Sequence, residues 1–190
     1  LVADAEAVSS YANVMSGVVK LSKVLADGRQ QVVGLQFAPD LVGRLFSKES
    51  RLTAEAASDV HLCRVPRAAL ERLMLENPGL ERKLLQQTLA ELDEAREWIV
   101  TVGRKTAAEK VASFLMLIAH HLDPTATADL EGDISFDLPL TRADIADFLG
   151  LTVETVSRQL TKLRADHVVE ITNNRHVHVP HLQTLADRCG

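Results

Sequence analysis

The chain contains few cysteines and no long apolar run. Its two cysteines, Cys63 and Cys189, cannot form a disulfide framework, so we expect a reducing, cytoplasmic compartment. No stretch of about 18 apolar residues occurs, so we expect no membrane-spanning helix. The first residue is Leu1, and no secretory hydrophobic segment follows it.

Motifs of catalysis are missing as well. The sequence has no HExxH pair, no P-loop, no nucleophile elbow and no GxGxxG turn, so we do not expect an enzyme. The formal net charge of -5 does not by itself favour a polyanionic partner. Residues 141–180, however, are neutral, with five basic and five acidic side chains. A local basic strip in that segment can still neutralise phosphates.

What the chain does contain is a pair of short helix patterns in residues 141–163, which meet at Gly150. Thr141 is a suitable N-cap for the first helix, and Gly150 ends that helix in a turn. Thr152 can cap the second helix. Apolar residues recur in the second helix at helical spacing, namely Val153, Val156, Leu160 and Leu163.

The opposite face of the second helix is polar. It carries Glu154, Thr155, Ser157, Arg158 and Lys162. A mixture of acceptor, hydroxyl and guanidinium groups on a short helix after a turn is typical of a helix that reads bases in the major groove of DNA. The alternative is a pair of small amphipathic helices that pack on a core and bind no DNA.

Residues 141–160 resemble the helix-turn-helix of the CRP/FNR family of bacterial transcription regulators. The run Glu-Thr-Val-Ser-Arg at positions 154–158 is similar to the base-reading set of the FNR branch, which includes FnrL-like and FixK-like proteins. The resemblance implies a TTGAT-like half-site, arranged as an inverted repeat in double-stranded DNA. It also implies RNA polymerase as a partner.

The side chains of this motif have chemistry suited to DNA. Arg158 can pair with guanine, Glu154 can accept from cytosine, and Ser157 can contact thymine or phosphate. Three further residues lie near the helix N-termini, where contacts with the DNA backbone are expected: Thr152, Thr155 and Arg142.

The N-terminal part of the chain, residues 8–65, is strand-like. Apolar runs and turn signals follow one another there, namely Val18–Leu25, Asp27–Gly28, Val32–Phe37 and Val60–Val65. Short strands at this spacing predict a jelly roll or a small barrel. Residues 14–43 resemble the β-roll sensor domain of the same family without its first strands. Because a longer N-terminal arm precedes this segment in the FNR branch, we expect that the sequence is a fragment.

A long helix is predicted next. Asn77–Pro78 is a strong helix start, and no breaker follows before Gly103. An uncharged seam recurs along this helix at coiled-coil spacing, at Thr88, Leu92, Ala95, Ile99 and Val102. We therefore expect two copies to pair, as the family's dimerisation helix does. The alternative is a long helix that packs on its own domain.

The remaining segments predict a winged helix. Thr106 and Glu109 form a capping box that opens a helix over residues 107–121, and residues 123–133 are predicted to be a polar loop. A strand over residues 134–138 precedes the helix-turn-helix. Two further strands are expected to form a hairpin after it, at residues 168–171 and 176–179.

Together these patterns predict an α+β fold with three parts. Residues 1–76 form an incomplete β-roll that resembles the cyclic-nucleotide-binding jelly roll. Residues 77–103 form the dimerisation helix, and residues 104–190 form the winged helix-turn-helix.

Cys63 is the one residue with a possible metal role. It lies in His-Leu-Cys-Arg-Val-Pro, at the position where the resemblance implies an internal cysteine ligand of cluster-bearing FNR proteins. One thiolate cannot hold a four-iron cluster, so we expect no cofactor in this chain and an iron–sulfur (4Fe–4S) cluster only in the intact protein. The alternative is a small, buried strand residue.

Other ligands have less support. Nucleotide-binding members of the family use a Gly-Glu pair and a downstream Arg-Ser/Thr pair, whereas Arg44 follows Gly43 here and residues 48–53 contain no clear second pair. We therefore do not expect a cyclic nucleotide. Among the histidines, His120 and His121 point to different helix faces, and His176 and His178 are too few for a metal site.

These observations favour a homodimeric, cytoplasmic transcription regulator of FNR type that responds to oxygen or redox state. One alternative is a FixK-like regulator without a metal sensor. A second is a ligand-binding signalling module whose winged helix binds protein. Binding to a TTGAT inverted repeat is expected of the first two and not of the third.

Overall fold

The computed structural model of the chain describes residue 3, residues 7–130 and residues 132–190. It divides into two compact units, an N-terminal unit of residues 1–97 and a C-terminal unit of residues 98–190. Within the described part of the chain, no helix combines the length and the apolarity that are needed to cross a bilayer.

The N-terminal unit contains two three-stranded antiparallel sheets. The strands are β1 (Ser10–Ser16), β2 (Val19–Val24), β3 (Gln30–Gln36), β4 (Leu41–Val42), β5 (Thr53–Ala56) and β6 (His61–Pro66). Their order is β4-β1-β6 in one sheet and β3-β2-β5 in the other. The β2–β3 hairpin confirms the turn predicted at Asp27–Gly28, where Gly28 has a positive φ of 84° that suits glycine.

The core of this unit lies between its strands and two helices. Val14, Val19, Val42 and Ala54 form one buried cluster. Tyr11, Leu70 and Met74 form a second cluster, against which Leu80 and Leu84 pack. Short antiparallel strands in two sheets around these buried clusters agree with the jelly roll expected from the sequence.

Two helices follow β6, and the first was not predicted. Helix α1 (Arg67–Glu76) begins directly after Pro66 and buries Leu70 and Met74, which lie one turn apart. Helix α2 (Pro78–Arg104) confirms the long helix and its start at Pro78. The division between the two units falls within α2.

The C-terminal unit is a winged helix. Its elements after α2 are α3 (Ala107–Leu122), α4 (Pro124–Asp129), β7 (Ile134–Asp137), α5 (Arg142–Leu149), α6 (Val153–Ala165), β8 (Glu170–Thr172), β9 (His176–Val179) and α7 (Leu182–Ala186). The three strands form an antiparallel sheet in the order β7-β9-β8, which confirms the predicted hairpin. Helix α3 opens with the predicted capping box between Thr106 and Glu109 and packs on α6 and α7.

Two elements of this unit differ from the sequence prediction. Residues 123–133 were predicted to be a polar loop, which is wrong, because α4 occupies most of that segment. The Asp123 carboxylate accepts from the Ala126 amide at 2.9 Å, and Pro124 stands in the first turn, so the sequence does contain a helix start. Helix α7 was also missed, although Leu182 and Leu185 are fully buried.

Candidate nucleic-acid interface

Helix α5 is held at both ends by local chemistry. The Thr141 hydroxyl accepts from the Asp144 amide at 3.1 Å, and the Asp144 carboxylate accepts from the Thr141 amide at 3.3 Å. Gly150 ends the helix with a φ of 63°, where a side chain would strain the backbone. Ile145 and Leu149 are fully buried beneath the helix. The first half of the predicted helix-turn-helix is confirmed.

Helix α6 begins with the predicted cap. The Thr152 hydroxyl accepts from the Thr155 amide at 3.2 Å, and Val156, Leu160 and Leu163 are buried. Val153 was predicted for the same buried face, but it is 41% exposed. As the first residue of α6, it precedes the turns that contact the core.

The base-reading set stands together on the surface of α6. Glu154, Ser157 and Arg158 are all exposed, and Thr155 is half-buried. Among residues 7–130 and 132–190, no hydrogen bond or ion pair engages the Arg158 guanidinium, so its planar donor set is available to a ligand. The backbone amide of Glu154 and the Thr152 hydroxyl lower the pKa of the Glu154 carboxyl, which keeps it ionised as an acceptor.

Arg142 occupies a different environment from the other predicted DNA-binding residues. It is half-buried, and its guanidinium donates to the backbone carbonyl of Asn174 at 3.1 Å. Asn174 lies in the turn between β8 and β9, the tip of the wing. The sequence prediction of a DNA-backbone contact did not foresee this partner, which lies 32 residues along the chain.

Several histidines of the C-terminal unit form hydrogen bonds within the fold. His176 lies 2.8 Å from an Asp137 carboxylate oxygen, and His178 lies 2.9 Å from the Ser135 hydroxyl. His120 similarly lies 2.8 Å from the Thr127 hydroxyl. Among the residues that the structure describes, no group of three or more histidine, cysteine, aspartate or glutamate side chains could hold a metal ion.

The predicted seam on α2 is largely uncovered. Thr88, Leu92, Ala95 and Ile99 are exposed, and Ile99 keeps 71% of its surface accessible. Val102 is half-buried, and its side chain lies 3.6 Å from the position that a Cβ on Gly150 would take. Other faces of α2 pack on the chain itself, since Leu84 contacts the Tyr11 cluster and the Trp98 ring lies 4.6 Å from that of Phe148.

Cys63 is exposed on β6, opposite Asn13 of β1. The alternative prediction of a buried strand residue is therefore wrong, because the side chain lies on the outer face of its sheet. One exposed thiol, with no ligand group of three or more in the described chain, does not fit a four-iron cluster by itself.

The N-terminal unit encloses a cavity of about 810 Å³. Its apolar walls include Leu41, Leu52 and Leu84, and Gly43 and Arg44 lie at its edge. In this cavity a guanidinium follows Gly43, at the position where nucleotide-binding members have a carboxylate. A ribose hydroxyl would therefore lose an acceptor at this position.

Glu91 of α2 lines the same cavity, where its carboxyl group is partly buried. Burial raises the pKa of its carboxyl from 4.5 to about 7, with repulsion from Asp40 and Glu94 as further causes. The folded state therefore binds the proton more tightly than the unfolded state. Stability conferred by protonated Glu91 is present below about pH 4.5 and is lost as the pH rises through about 7.

We expect Glu91→Gln to flatten the stability profile between about pH 4.5 and 7. The amide keeps the shape of the protonated acid and never ionises, so the variant should gain stability relative to the native chain as the pH rises. Urea unfolding at a series of pH values measures this. Glu97→Gln, at an exposed position of the same helix, is the control. Parallel profiles for the native chain and Glu91→Gln would contradict the raised pKa.

Comparison with known proteins places both units in families. A model of the Crp-like helix-turn-helix domain matches residues 109–188, and a model of the cyclic nucleotide-binding domain matches residues 1–77. A "Probable transcriptional activator" from Rhizobium leguminosarum bv. viciae is 57% identical over 186 residues, which are 97% of this chain and 75% of that protein. The transcriptional activator protein FnrL of Cereibacter sphaeroides is 41% identical over 179 residues, 94% of this chain and 72% of FnrL.

A solved structure shares the same architecture. FixK2 from Bradyrhizobium japonicum superposes with a TM-score of 0.87 at 32% identity, covering 100% of this chain and 92% of FixK2. This likeness extends over both units, so the helix-turn-helix and the β-roll are each found in a related protein.

Proposed function

The chain belongs to the CRP/FNR family and is a DNA-binding transcription regulator of the FnrL and FixK type; from this premise we propose that it reads a TTGAT-like inverted repeat as a homodimer and responds to oxygen or redox state. We assign sensing to residues 1–76, dimerisation to residues 77–103 and DNA binding to residues 104–190.

The observation that carries the proposal is the exposed polar face of α6, where the Arg158 guanidinium has no partner among the described residues. Arg158 pairs with guanine through O6 and N7, Glu154 accepts from the amino group of cytosine, and Ser157 contacts thymine or phosphate. Thr152 and Thr155 stand at the N-terminus of α6, where backbone amides favour phosphate. Arg142 belongs to the same surface, at the start of α5.

A dimer provides a second recognition helix for the second half-site of the inverted repeat. Regulators of this family work as dimers, and an inverted repeat mirrors two-fold symmetry in the protein. We propose that the seam of Thr88, Leu92, Ala95, Ile99 and Val102 forms this interface. Its support is the exposure of Leu92 and Ile99, since apolar side chains that repeat at coiled-coil spacing gain free energy when a second helix covers them.

Binding to defined duplexes tests the proposed site. A duplex with two TTGAT half-sites in inverted repeat should bind far more tightly than a scrambled duplex of the same composition at the same salt concentration. Equal affinity for the two would remove the proposed specificity. No affinity for either would favour the signalling module whose winged helix binds protein.

We propose that Cys63 takes part in sensing oxygen or redox state, as a ligand of an iron–sulfur cluster. Its exposure leaves the thiolate accessible as one ligand of an iron–sulfur cluster. The other ligands would have to lie outside the described residues. FixK proteins from several rhizobia are relatives too, at up to 39% identity, so a FixK-like regulator without a metal sensor is the alternative. In either case we propose that the regulator works in the cytoplasm with RNA polymerase.

Iron binding distinguishes these two alternatives. We expect that the 190-residue chain binds no cluster on anaerobic reconstitution, whereas a full-length protein does so through Cys63. Cys63→Ser keeps the size of the side chain but supplies a poorer ligand, so it should abolish cluster absorbance in the full-length protein. Cys189→Ser, at a half-buried thiol, is the matched control. Full iron incorporation by Cys63→Ser would show that Cys63 is not a cluster ligand, whereas no cluster in the native full-length protein would favour the FixK-like regulator.

A further inference from the structure

Arg142 makes a contact that direct binding to DNA does not explain. Its half-buried guanidinium donates to the Asn174 carbonyl at 3.1 Å, and burial lowers its pKa. A side chain that served phosphate alone would keep its head group in water, with its donors uncommitted. Arg142 instead binds the turn of the wing.

The wing turn has a defined backbone geometry. Asn173 and Asn174 both have positive φ angles, 51° and 56°, which asparagine adopts more readily than most residues, and the Arg175 amide donates to the Thr172 carbonyl at 3.1 Å across the turn. On one side of the turn, the Leu138 amide donates to the Arg175 carbonyl at 2.9 Å. On the other side, the Asn174 carbonyl accepts from Arg142. The turn is therefore fixed from both flanks.

The turn presents a cation beside α5. Arg175 is exposed, and within the described ranges its guanidinium has no hydrogen-bond or ion-pair partner. Arg142 is the first residue of α5, so its bond to Asn174 places the wing turn next to the N-terminus of that helix. Amides at a helix N-terminus attract phosphate, and a cation next to them reinforces this attraction.

We propose that Arg142 is a positioning residue for the wing, which it holds so that Arg175 meets the DNA backbone beside α5. Arg142 then acts on DNA through Arg175, and the two arginines make one phosphate contact between them. The proposal rests on DNA binding by this face of the protein. Its first test needs no DNA, so its failure is distinguishable from a failure of the proposed operator.

Hydrogen exchange in the DNA-free protein is that first test. Arg142→Ala should speed the exchange of the amides in residues 173–175, while the exchange of α6 and the melting temperature stay unchanged. Arg104→Ala removes an exposed guanidinium of the same unit and should change neither the exchange of the wing nor the melting temperature. Faster exchange throughout the unit, with a lower melting temperature, would reduce Arg142 to a structural residue and overturn the proposal.

A double-mutant cycle on DNA is the second test. We expect the same loss of affinity for any duplex in three variants, namely Arg142→Ala, Arg175→Ala and the double variant. Each of them should also lower the slope of log K against log salt by the same amount, which is about 0.9 per phosphate contact in each monomer. If the two fold-losses of affinity multiply in the double variant, and its salt slope falls twice as far as in either single variant, then the two arginines make separate phosphate contacts. That outcome, or unchanged exchange of the wing, would overturn the proposal.

Discussion

Ile99→Glu is expected to convert the proposed dimer into monomers. Ile99 is 71% exposed and is the fourth of the five residues of the uncharged seam on α2. In a symmetric pair of helices, the substitution places two like charges in a desolvated interface, where each carboxylate loses water and gains no partner. Sedimentation should show a monomer for the variant and a dimer for the native chain. Affinity for an inverted repeat should fall with it, because two half-sites then need two separate binding events.

Val100→Glu is the matched control for this experiment. Val100 is 57% exposed and is the next residue of the same helix, so it points about 100° away from Ile99. The same charge at this position should remain in water and leave the dimer intact. An unchanged dimer in Ile99→Glu would mean that the seam is not the interface. Equal dissociation of both variants would mean that the added charge disrupts the dimer wherever it lies on this part of α2, and not because it lies in the seam.

Arg158→Ala should remove the strongest single base contact. A bidentate arginine–guanine pair contributes about 1–3 kcal/mol of discrimination, and a homodimer loses one pair at each half-site. Specific affinity should therefore fall by roughly 5- to 150-fold per half-site, whereas affinity for a scrambled duplex should change little. Fluorescence anisotropy with both duplexes at one salt concentration measures the difference.

Arg164→Ala provides the comparison within the same helix. Arg164 is exposed in the last turn of α6, away from the N-terminal turns that carry Glu154 and Arg158. Loss of its charge should weaken cognate and scrambled binding by the same small factor. If Arg158→Ala behaves like Arg164→Ala, then Arg158 contacts only phosphate.

The parts of the fold that sequence predicts are those fixed by neighbours along the chain. Thr141 with Asp144, Thr106 with Glu109, and Gly150 in its left-handed conformation each act within one turn of a helix. Local chemistry of this kind is readable from spacing alone. The helix-turn-helix and the long helix were therefore predicted with nearly the observed bounds.

The parts that were missed depend on residues far apart. Helix α1 is stabilised by Leu70 and Met74 against Tyr11, which lies about 60 positions earlier in the chain. The partner of Arg142 is 32 residues away. The outward orientation of Cys63 follows from which face of β6 packs inward, and the short strand showed too little alternation to reveal that face. Only the folded chain brings such residues together.

The packing of α2 on α5 has a consequence for the distance between the two half-sites of the DNA. The Trp98 ring lies 4.6 Å from that of Phe148 at a tilt of 48°, and Val102 lies against the turn at Gly150, so the last turns of α2 pack on the helix-turn-helix. In the proposed dimer, we expect the pairing of the two α2 helices to set the distance between the two α6 helices. Adding one base pair between half-sites rotates one of them by roughly 35° about the duplex axis and shifts it by about 3.4 Å. We therefore expect the dimer to bind one spacing of half-sites and to lose affinity when one base pair is added or removed between them, which binding to a series of duplexes measures.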